Sequence, residues 1–179
     1  SHVDSLALRD QTGDLVIAET GLDSKNGQTF FSSDIDMLQE QGRIFIGYLN
    51  VAVTDHNRDY WDDAWVSFTD PDNKDVGTIN VGAPDWLRDS HGYAGDNNGT
   101  VFGRIVDYAH LDWQQRLIDM AVLMVTSPDQ GGLGSDGVFL DDVGRYYEAV
   151  GASYSVAQAA QDMITLVNAI ADAVRVVNS

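Results

Sequence analysis

The apolar run over residues 44–51 constrains the fold of this chain more than any other segment. Its side chains are almost all apolar instead of alternating with polar ones, which is typical of a parallel strand buried on both faces. A strand pattern at Leu15–Glu19 and a helical pattern over residues 30–41, where Ile35 and Leu38 recur at helical spacing, precede it. Because parallel strands need a crossover connection, the three segments predict a βαβ unit.

Strand and helix patterns continue to alternate along the rest of the chain. Residues 54–99 are rich in Asp, Asn and Gly and predict a long decorated loop. After it, residues 101–108 predict a third strand, residues 113–125 a further helix, residues 137–140 a fourth strand and residues 156–177 a final helix. This alternation predicts an α/β fold in which helices connect the strands of a parallel sheet.

The number of predicted units sets the expected domain organisation. About four β/α units correspond to half of an eight-unit TIM barrel, which usually needs about 250 residues. A chain of 179 residues is too short to close such a barrel alone. We therefore expect residues 1–179 to form one TIM-barrel-like domain, either as a partial or half barrel or as the amino-terminal part of a longer barrel.

The charge balance excludes one class of partner. The chain has 28 acidic and 10 basic residues and a formal net charge of -18. Nucleic acid is not an expected partner, because binding a polyanion requires basic surface that releases counterions. A cationic partner and a secreted, extracellular or periplasmic location fit this acidic surface better, because a large net charge keeps a protein soluble. The sequence has no apolar run long enough for a membrane span.

The residue types that hold metals and cofactors are scarce. The chain has no cysteine, which excludes disulfides, thiolate catalysis and cysteine-ligated metals. The four histidines lack the paired helical spacing of a zinc site. Residues 70–75 are rich in oxygen ligands but lack the glycine of the helix–loop–helix calcium pattern. We expect neither a metal nor a cofactor.

A short apolar strand over residues 137–140 ends in two adjacent carboxylates, Asp141 and Asp142. In an α/β barrel the carboxyl ends of the strands point into the mouth of the active site. Successive strand residues face opposite ways, so only one of the two side chains points inward. The alternative interpretation is a helix N-cap or a surface turn, where paired aspartates are also common.

Several short motifs within residues 14–178 carry a family resemblance. They are Tyr48-Leu49-Asn50-Val51, then Arg58, Tyr60 and Trp61, then Trp113-Gln114, and finally residues 136–143 with Tyr146. This set resembles the endo-α-1,4-polygalactosaminidase family, glycoside hydrolase family 114, and its bacterial TIM-barrel relatives. The resemblance implies a (β/α)₈ barrel that cleaves galactosamine-containing exopolysaccharides.

The resemblance also implies roles for individual residues. By matching position, Asp141 is the nucleophile or charge stabiliser. Asp142 stands where relatives carry Asp or Asn and is expected to bind substrate. Tyr48 and Asn50 match the strand whose end lines the pocket. Sugar contacts are expected from Arg58 and from four aromatic residues, Tyr60, Trp61, Trp86 and Tyr146. The alternatives are core packing for Tyr48, an ion pair for Arg58 and loop anchoring for the tryptophans.

Glycoside hydrolysis needs a second carboxylate, and here the chain departs from the family pattern. Relatives carry acidic residues after the second strand, where this chain begins with Ala52 and Val53. The family's general acid/base comes from a later strand, beyond the end of this sequence. Within the chain, the candidates at predicted strand ends are Asp55, then Asp107, then Glu19.

Two functions from different classes follow. The first is a glycoside hydrolase-like domain acting on an amino-sugar-containing polysaccharide, whose cationic sugars the acidic surface would attract. The second is a non-catalytic carbohydrate-binding or self-assembling half-barrel domain. In that case a homodimer would complete the barrel and bury the open sheet edges.

Overall fold

The structure is a computed structural model that describes residues 13–27, 30–68, 77–87, 103–149 and 154–177. The strands are β1 (Leu15–Glu19), β2 (Ile44–Asn50), β3 (Val53–Thr54), β4 (Val66–Phe68), β5 (Gly77–Ile79), β6 (Arg104–Ile105) and β7 (Gly137–Asp141). The α-helices are α1 (Ser32–Glu40), α2 (Leu111–Val125) and α3 (Val156–Val177). Short 3₁₀ helices lie at Asp63–Trp65, Pro128–Gln130 and Val143–Ala149.

The central sheet has three parallel strands in the order β1-β2-β7. Leu15 pairs with Ile44 at one end of β1, and Asn50 pairs with Asp141 at the carboxyl end of β2. The predicted strands at residues 15–19, 44–51 and 137–140 are confirmed, as is the α/β class. The βαβ unit of β1, α1 and β2 is also confirmed.

Helices cover one face of this sheet. Phe45 of β2 packs with Ile35 and Leu38 of α1 in one apolar cluster. Leu49 packs with the buried faces of α2 and α3 in a larger one. Between them, Gly47 lets α2 approach closely, since a Cβ there would lie 2.9 Å from Met124 Sδ. The alternating burial of β2 follows from this one-sided cover.

The opposite face of the sheet is open and apolar. Leu15 is 55% exposed, Ile17 46%, Ile44 50% and Phe139 43%. Parallel sheets are normally covered on both faces, and the sequence predicts the same for residues 44–51. That part of the prediction is wrong for the described residues, because their helices lie on one side only.

The predicted third strand differs most from the structure. Within residues 101–108, only β6 is a strand, and it pairs antiparallel with β3 in a separate two-stranded sheet. Residues 101 and 102 lie outside the described part of the chain. The parallel strand expected at residues 101–108 is therefore absent from the described sheet, which has three strands instead of four. Gly103, with a φ of 115°, permits the close approach of β6 to Thr54.

Where it is described, the long segment over residues 54–99 contains regular secondary structure. It contains the Asp63–Trp65 helix and the antiparallel hairpin of β4 and β5. The acidic residues 70–75 lie outside the described residues. Among the helices that are described, none is long and apolar enough to cross a membrane.

Candidate active site

Parallel pairing gathers the candidate residues at the carboxyl edge of the central sheet. Glu19 of β1 pairs with Tyr48 of β2, and Asn50 of β2 pairs with Asp141 of β7. Paired residues lie side by side on one face, and residues two apart share that face. All four side chains therefore lie on the face that the helices leave open.

Asp141 is held by two uncharged donors. The Tyr48 hydroxyl donates to Asp141 Oδ2 at 2.6 Å, and the Asp142 N–H donates to Asp141 Oδ1 at 2.8 Å. Burial and the hydrogen bond to Asp141 raise the pKa of Tyr48 well above its usual value. The Tyr48 hydroxyl therefore stays protonated at neutral pH and remains a donor. The Tyr48 ring is further fixed by stacking on Phe139, with ring centroids 6.3 Å apart.

Both oxygens of the Asp142 carboxylate accept hydrogen bonds from side chains. Asn50 Nδ2 donates to Asp142 Oδ2 at 2.6 Å, and Arg145 Nε donates to Asp142 Oδ1 at 2.7 Å. Asn50 is oriented in turn because its Oδ1 accepts from the Val53 N–H at 2.9 Å. We call Tyr48, Asn50, Asp141 and Asp142 the strand-end group.

A second charged group lies beside the end of β1. Arg58 Nη1 donates to Glu19 at 2.7 Å and to Asp23 at 2.9 Å, and Arg58 Nε donates to Asp55 at 3.1 Å. Burial disfavours the charge of Arg58, but the three carboxylates outweigh that effect and raise its pKa. Burial raises the pKa of Asp23, partly offset by Arg58. These four residues form the Arg58 cluster.

A cleft opens between the two groups, and its empty space of about 380 Å³ includes open solvent. Its polar lining includes Glu19, Asp23, Tyr48, Asn50, Arg58 and Tyr60. Its apolar lining includes Leu117, Met120 and Met124 of α2. Mostly apolar walls with a few convergent polar groups are typical of ligand sites, so the cleft is the candidate binding site.

The aromatic residues predicted to bind sugar have unequal access to this cleft. Tyr60 lines it, and the Tyr60 hydroxyl lies 2.7 Å from Thr54 Oγ1. Trp61 is 4% exposed and packs against Trp65, with ring centroids 5.8 Å apart. Tyr146 is half-buried on the Val143–Ala149 helix, packs against the larger apolar cluster and does not line the cleft. Trp61 and Trp86, which is 6% exposed, both lie in the core, which matches the loop-anchoring alternative for the tryptophans.

The three candidates for the second carboxylate have different surroundings. Asp107 is 1% exposed, accepts a hydrogen bond from the Ala109 N–H and does not line the cleft. Asp55 is bound to Arg58 and accepts from the Asn57 N–H. Glu19, ranked last from the sequence, shares its face with Asp141. Sequence reasoning missed Asp23; its one signal is an acidic residue soon after the end of β1.

Metal ligands are not gathered in the described part of the chain. There, no group of three or more His, Asp or Glu side chains is arranged to hold a metal ion. Asp136, which precedes β7, lies at the opposite end of the sheet and accepts from the Phe45 N–H at 2.8 Å.

Comparison with known proteins gives a fold likeness. No family model matches the chain, and no curated protein matches it. Among solved structures, the glycoside hydrolase domain of PelA from Pseudomonas aeruginosa is 16% identical with a TM-score of 0.55. Ega3 from Aspergillus fumigatus, solved in complex with galactosamine, is 21% identical with a TM-score of 0.54.

The chain resembles the endo-α-1,4-polygalactosaminidase family in fold. The match covers 90% of this chain and 49% of the PelA domain, and 94% of this chain and 51% of Ega3. This chain thus spans about half the length of the solved structures that it matches. The resemblance indicated by the sequence motifs is confirmed at the level of the fold.

Proposed function

We propose that this chain is a glycoside hydrolase-like domain of the endo-α-1,4-polygalactosaminidase type, acting on an amino-sugar-containing polysaccharide. The observation that carries the proposal is the Asp141 carboxylate at the carboxyl edge of a parallel sheet, held by Tyr48, which lines the cleft. The fold likeness to two glycoside hydrolases supports the reaction class.

The proposal includes a TIM-barrel-like arrangement of one domain, residues 1–179, with residues 54–99 as a long decorated insertion. In this arrangement, the exposed face of the β1-β2-β7 sheet is the inner face of the barrel. Its apolar side chains, such as Ile17 and Phe139, suit a barrel interior, which layers of bulky side chains normally fill.

Asp141 has the surroundings of a nucleophile or charge stabiliser. Glycoside hydrolysis passes through a cationic sugar, and a carboxylate beside it stabilises the developing charge. The two hydrogen bonds from Tyr48 and Asp142 fix the orientation of both Asp141 oxygens without adding a neutralising cation. A pre-oriented anion of this kind is the usual source of electrostatic stabilisation in a transition state.

Glu19 is the first candidate in the chain for the second carboxylate. It shares the open face with Asp141, and the strand registers place their Cα atoms about 12 Å apart. From there the side chains can reach the 6.5 to 9.5 Å separation of an inverting pair. Arg58 binds both Glu19 and Asp55, so that contact does not separate them. Asp55 is less suited because it follows β3, outside the central sheet, and Asp107 is less suited because it is buried in a turn.

The substrate class follows from the charge of the site. The strand-end group and the Arg58 cluster together have five carboxylates, of which Glu19 and Asp23 line the cleft, against the cations Arg58 and Arg145. An acidic cleft in a chain of net charge -18 attracts a cationic amino sugar and accelerates its encounter. Tyr60 and Tyr146 are the proposed ring contacts. Exopolysaccharide lies outside cells, so we propose an extracellular or periplasmic location.

The test is the release of reducing ends from an α-1,4-linked galactosamine polymer. We expect turnover by the parent chain, its loss in Asp141→Asn and its retention in Asp129→Asn, a control on an exposed aspartate away from the cleft. If the parent chain releases no reducing ends, catalysis of this substrate by this chain is refuted.

A second candidate function is a carbohydrate-binding, self-assembling half-barrel. It is favoured by the open apolar face, with Ile17 46% and Ile44 50% exposed, and by the outer edges of β1 and β7, which no described strand pairs with. A second copy would cover this face and complete the barrel.

Light scattering during size-exclusion chromatography tests this second function. We expect the mass of two chains for the parent and of one chain for Ile17→Glu, which places a charge on the proposed interface. Val81→Glu is the control, because Val81 is 91% exposed and outside the sheet. A parent chain with the mass of one chain would refute the dimer.

A further inference from the structure

Asp142 has a left-handed backbone conformation. Its φ is 61°, and it is the sole non-glycine residue with positive φ in the described ranges. Few L-residues adopt this left-handed region; Asp and Asn adopt it more readily than most, and it persists where the surrounding contacts enforce it. Residues held in such conformations concentrate at functional sites.

The main chain of Asp142 contacts the side chain of the residue before it. The Asp142 N–H belongs to the peptide between residues 141 and 142 and donates to Asp141 Oδ1 at 2.8 Å. Since Tyr48 already occupies Asp141 Oδ2, the Asp142 N–H completes the orientation of the carboxylate. Asp142 thus acts on Asp141 through its main chain.

The side chain of Asp142 locks the turn to two different elements. Asn50 at the end of β2 binds one Asp142 oxygen, and Arg145 on the Val143–Ala149 helix binds the other. Arg145 also donates to Glu148 at 3.0 Å, which anchors it on that helix. Both oxygens of the Asp142 carboxylate are therefore engaged within the protein.

We propose that Asp142 is a positioning residue for Asp141 and not a ligand for sugar, locked in its left-handed turn by Asn50 and Arg145. This inference rests on the proposed function for the catalytic role of Asp141. The geometric part, the link from Arg145 through Asp142 to the Asp141 carboxylate, is independent of turnover.

Hydrogen exchange of the residue-142 amide tests the geometric part. We expect slow exchange in the parent chain and at least tenfold faster exchange in Asp141→Ala, which removes the acceptor. Arg145→Met and Asn50→Ala should each accelerate it as well, because they release the turn. The matched control is Arg175→Met, which removes an exposed ion pair of the same i,i+3 spacing to Asp172. Unchanged exchange in both Arg145→Met and Asn50→Ala would overturn the proposal.

Steady-state kinetics test the role of Asp142 in turnover. In Asp142→Ala, kcat should fall about 100-fold with KM changed less than about twofold, because misplacing a reacting group affects the transition state more than ground-state binding. Asp142→Asn tolerates the left-handed conformation and keeps a polar side chain, so it should recover most of kcat.

The two sets of data separate the proposals. A rise in KM with kcat unchanged in Asp142→Ala would make Asp142 a sugar ligand and overturn the positioning role. If the parent chain has no turnover, the proposed function fails, and the exchange of the residue-142 amide still decides whether Asp142 holds Asp141.

Discussion

On one side of the cleft, Asp141 accepts hydrogen bonds from two uncharged donors; on the other, Glu19, Asp23 and Asp55 surround the cation Arg58. The strand-end group orients a carboxylate and leaves its charge uncompensated by direct contact. The Arg58 cluster neutralises part of its charge and ties the end of β1 to the segment after β3. We therefore assign the central carboxylate to the strand-end group. In the Arg58 cluster, Glu19 is the candidate second carboxylate, and Arg58, Asp23 and Asp55 shape the cleft wall.

Main-chain contacts support a structural role for the Arg58 cluster. The Lys25 N–H donates to the Asn57 carbonyl at 2.7 Å, and the Asp59 N–H donates to the Asp23 carbonyl at 2.6 Å. Arg58 lies between these two hydrogen bonds along the chain. Its side chain joins the same two segments that the main chain already holds together. The ion pairs of Arg58 therefore stabilise the packing of these segments and are not primarily ligand contacts.

The largest effect on stability is expected from Arg58→Met. Removing the cation leaves the buried Asp23 carboxylate without its partner, which should cost about 3 kcal/mol of unfolding free energy at pH 7. The exposed control Arg175→Met should change stability by less than about 1 kcal/mol. Urea unfolding of the three proteins measures the difference.

The loss of stability in Arg58→Met should depend on pH. Burial raises the pKa of Asp23, and Arg58 counteracts part of that rise. A raised pKa makes the ionised carboxyl the less favourable form in the folded state, and without Arg58 the rise is larger. The stability deficit should therefore be small near pH 4 and grow as the pH rises through the Asp23 pKa toward 7. A deficit that does not change with pH would assign Arg58 a packing role only.

Tyr48→Phe is expected to have a smaller effect on the free energy of unfolding than Arg58→Met. Its main effect should be on turnover. The substitution removes one of the two donors to Asp141 and keeps the ring that stacks on Phe139. We expect turnover to fall about 100-fold and stability to change by about 1 kcal/mol. Tyr147→Phe, on an exposed ring of the Val143–Ala149 helix, is the matched control. Turnover by Tyr48→Phe at the parental rate would show that Tyr48 contributes to packing and not to the orientation of Asp141.

The sequence was sufficient for elements with strong local signals. β1, β2 and β7 are apolar runs of strand length, and α3 has the bounds that its periodicity predicts. Pairing partners are not local, so the sequence placed residues 101–108 in the main sheet, whereas β6 pairs antiparallel with β3. The open face was missed for the same reason: an apolar run does not reveal which of its faces is covered.

The candidate site was only partly predictable. Tyr48, Asn50, Asp141 and Asp142 meet because parallel strands align their carboxyl ends, a relation that the motifs and fold class together predict. The burial of Trp61 and the capture of Arg58 by Asp23 depend on loops that approach through tertiary packing. Nothing in the local sequence marks those contacts.

The most direct test of the account is chemical rescue of Asp141→Ala. The alanine removes the carboxylate, and added formate can occupy the vacated position as a small external carboxylate. We predict loss of reducing-end release from the galactosamine polymer in Asp141→Ala and partial recovery as formate concentration rises. Turnover by Asp141→Ala at the parental rate without formate would contradict the central role of Asp141.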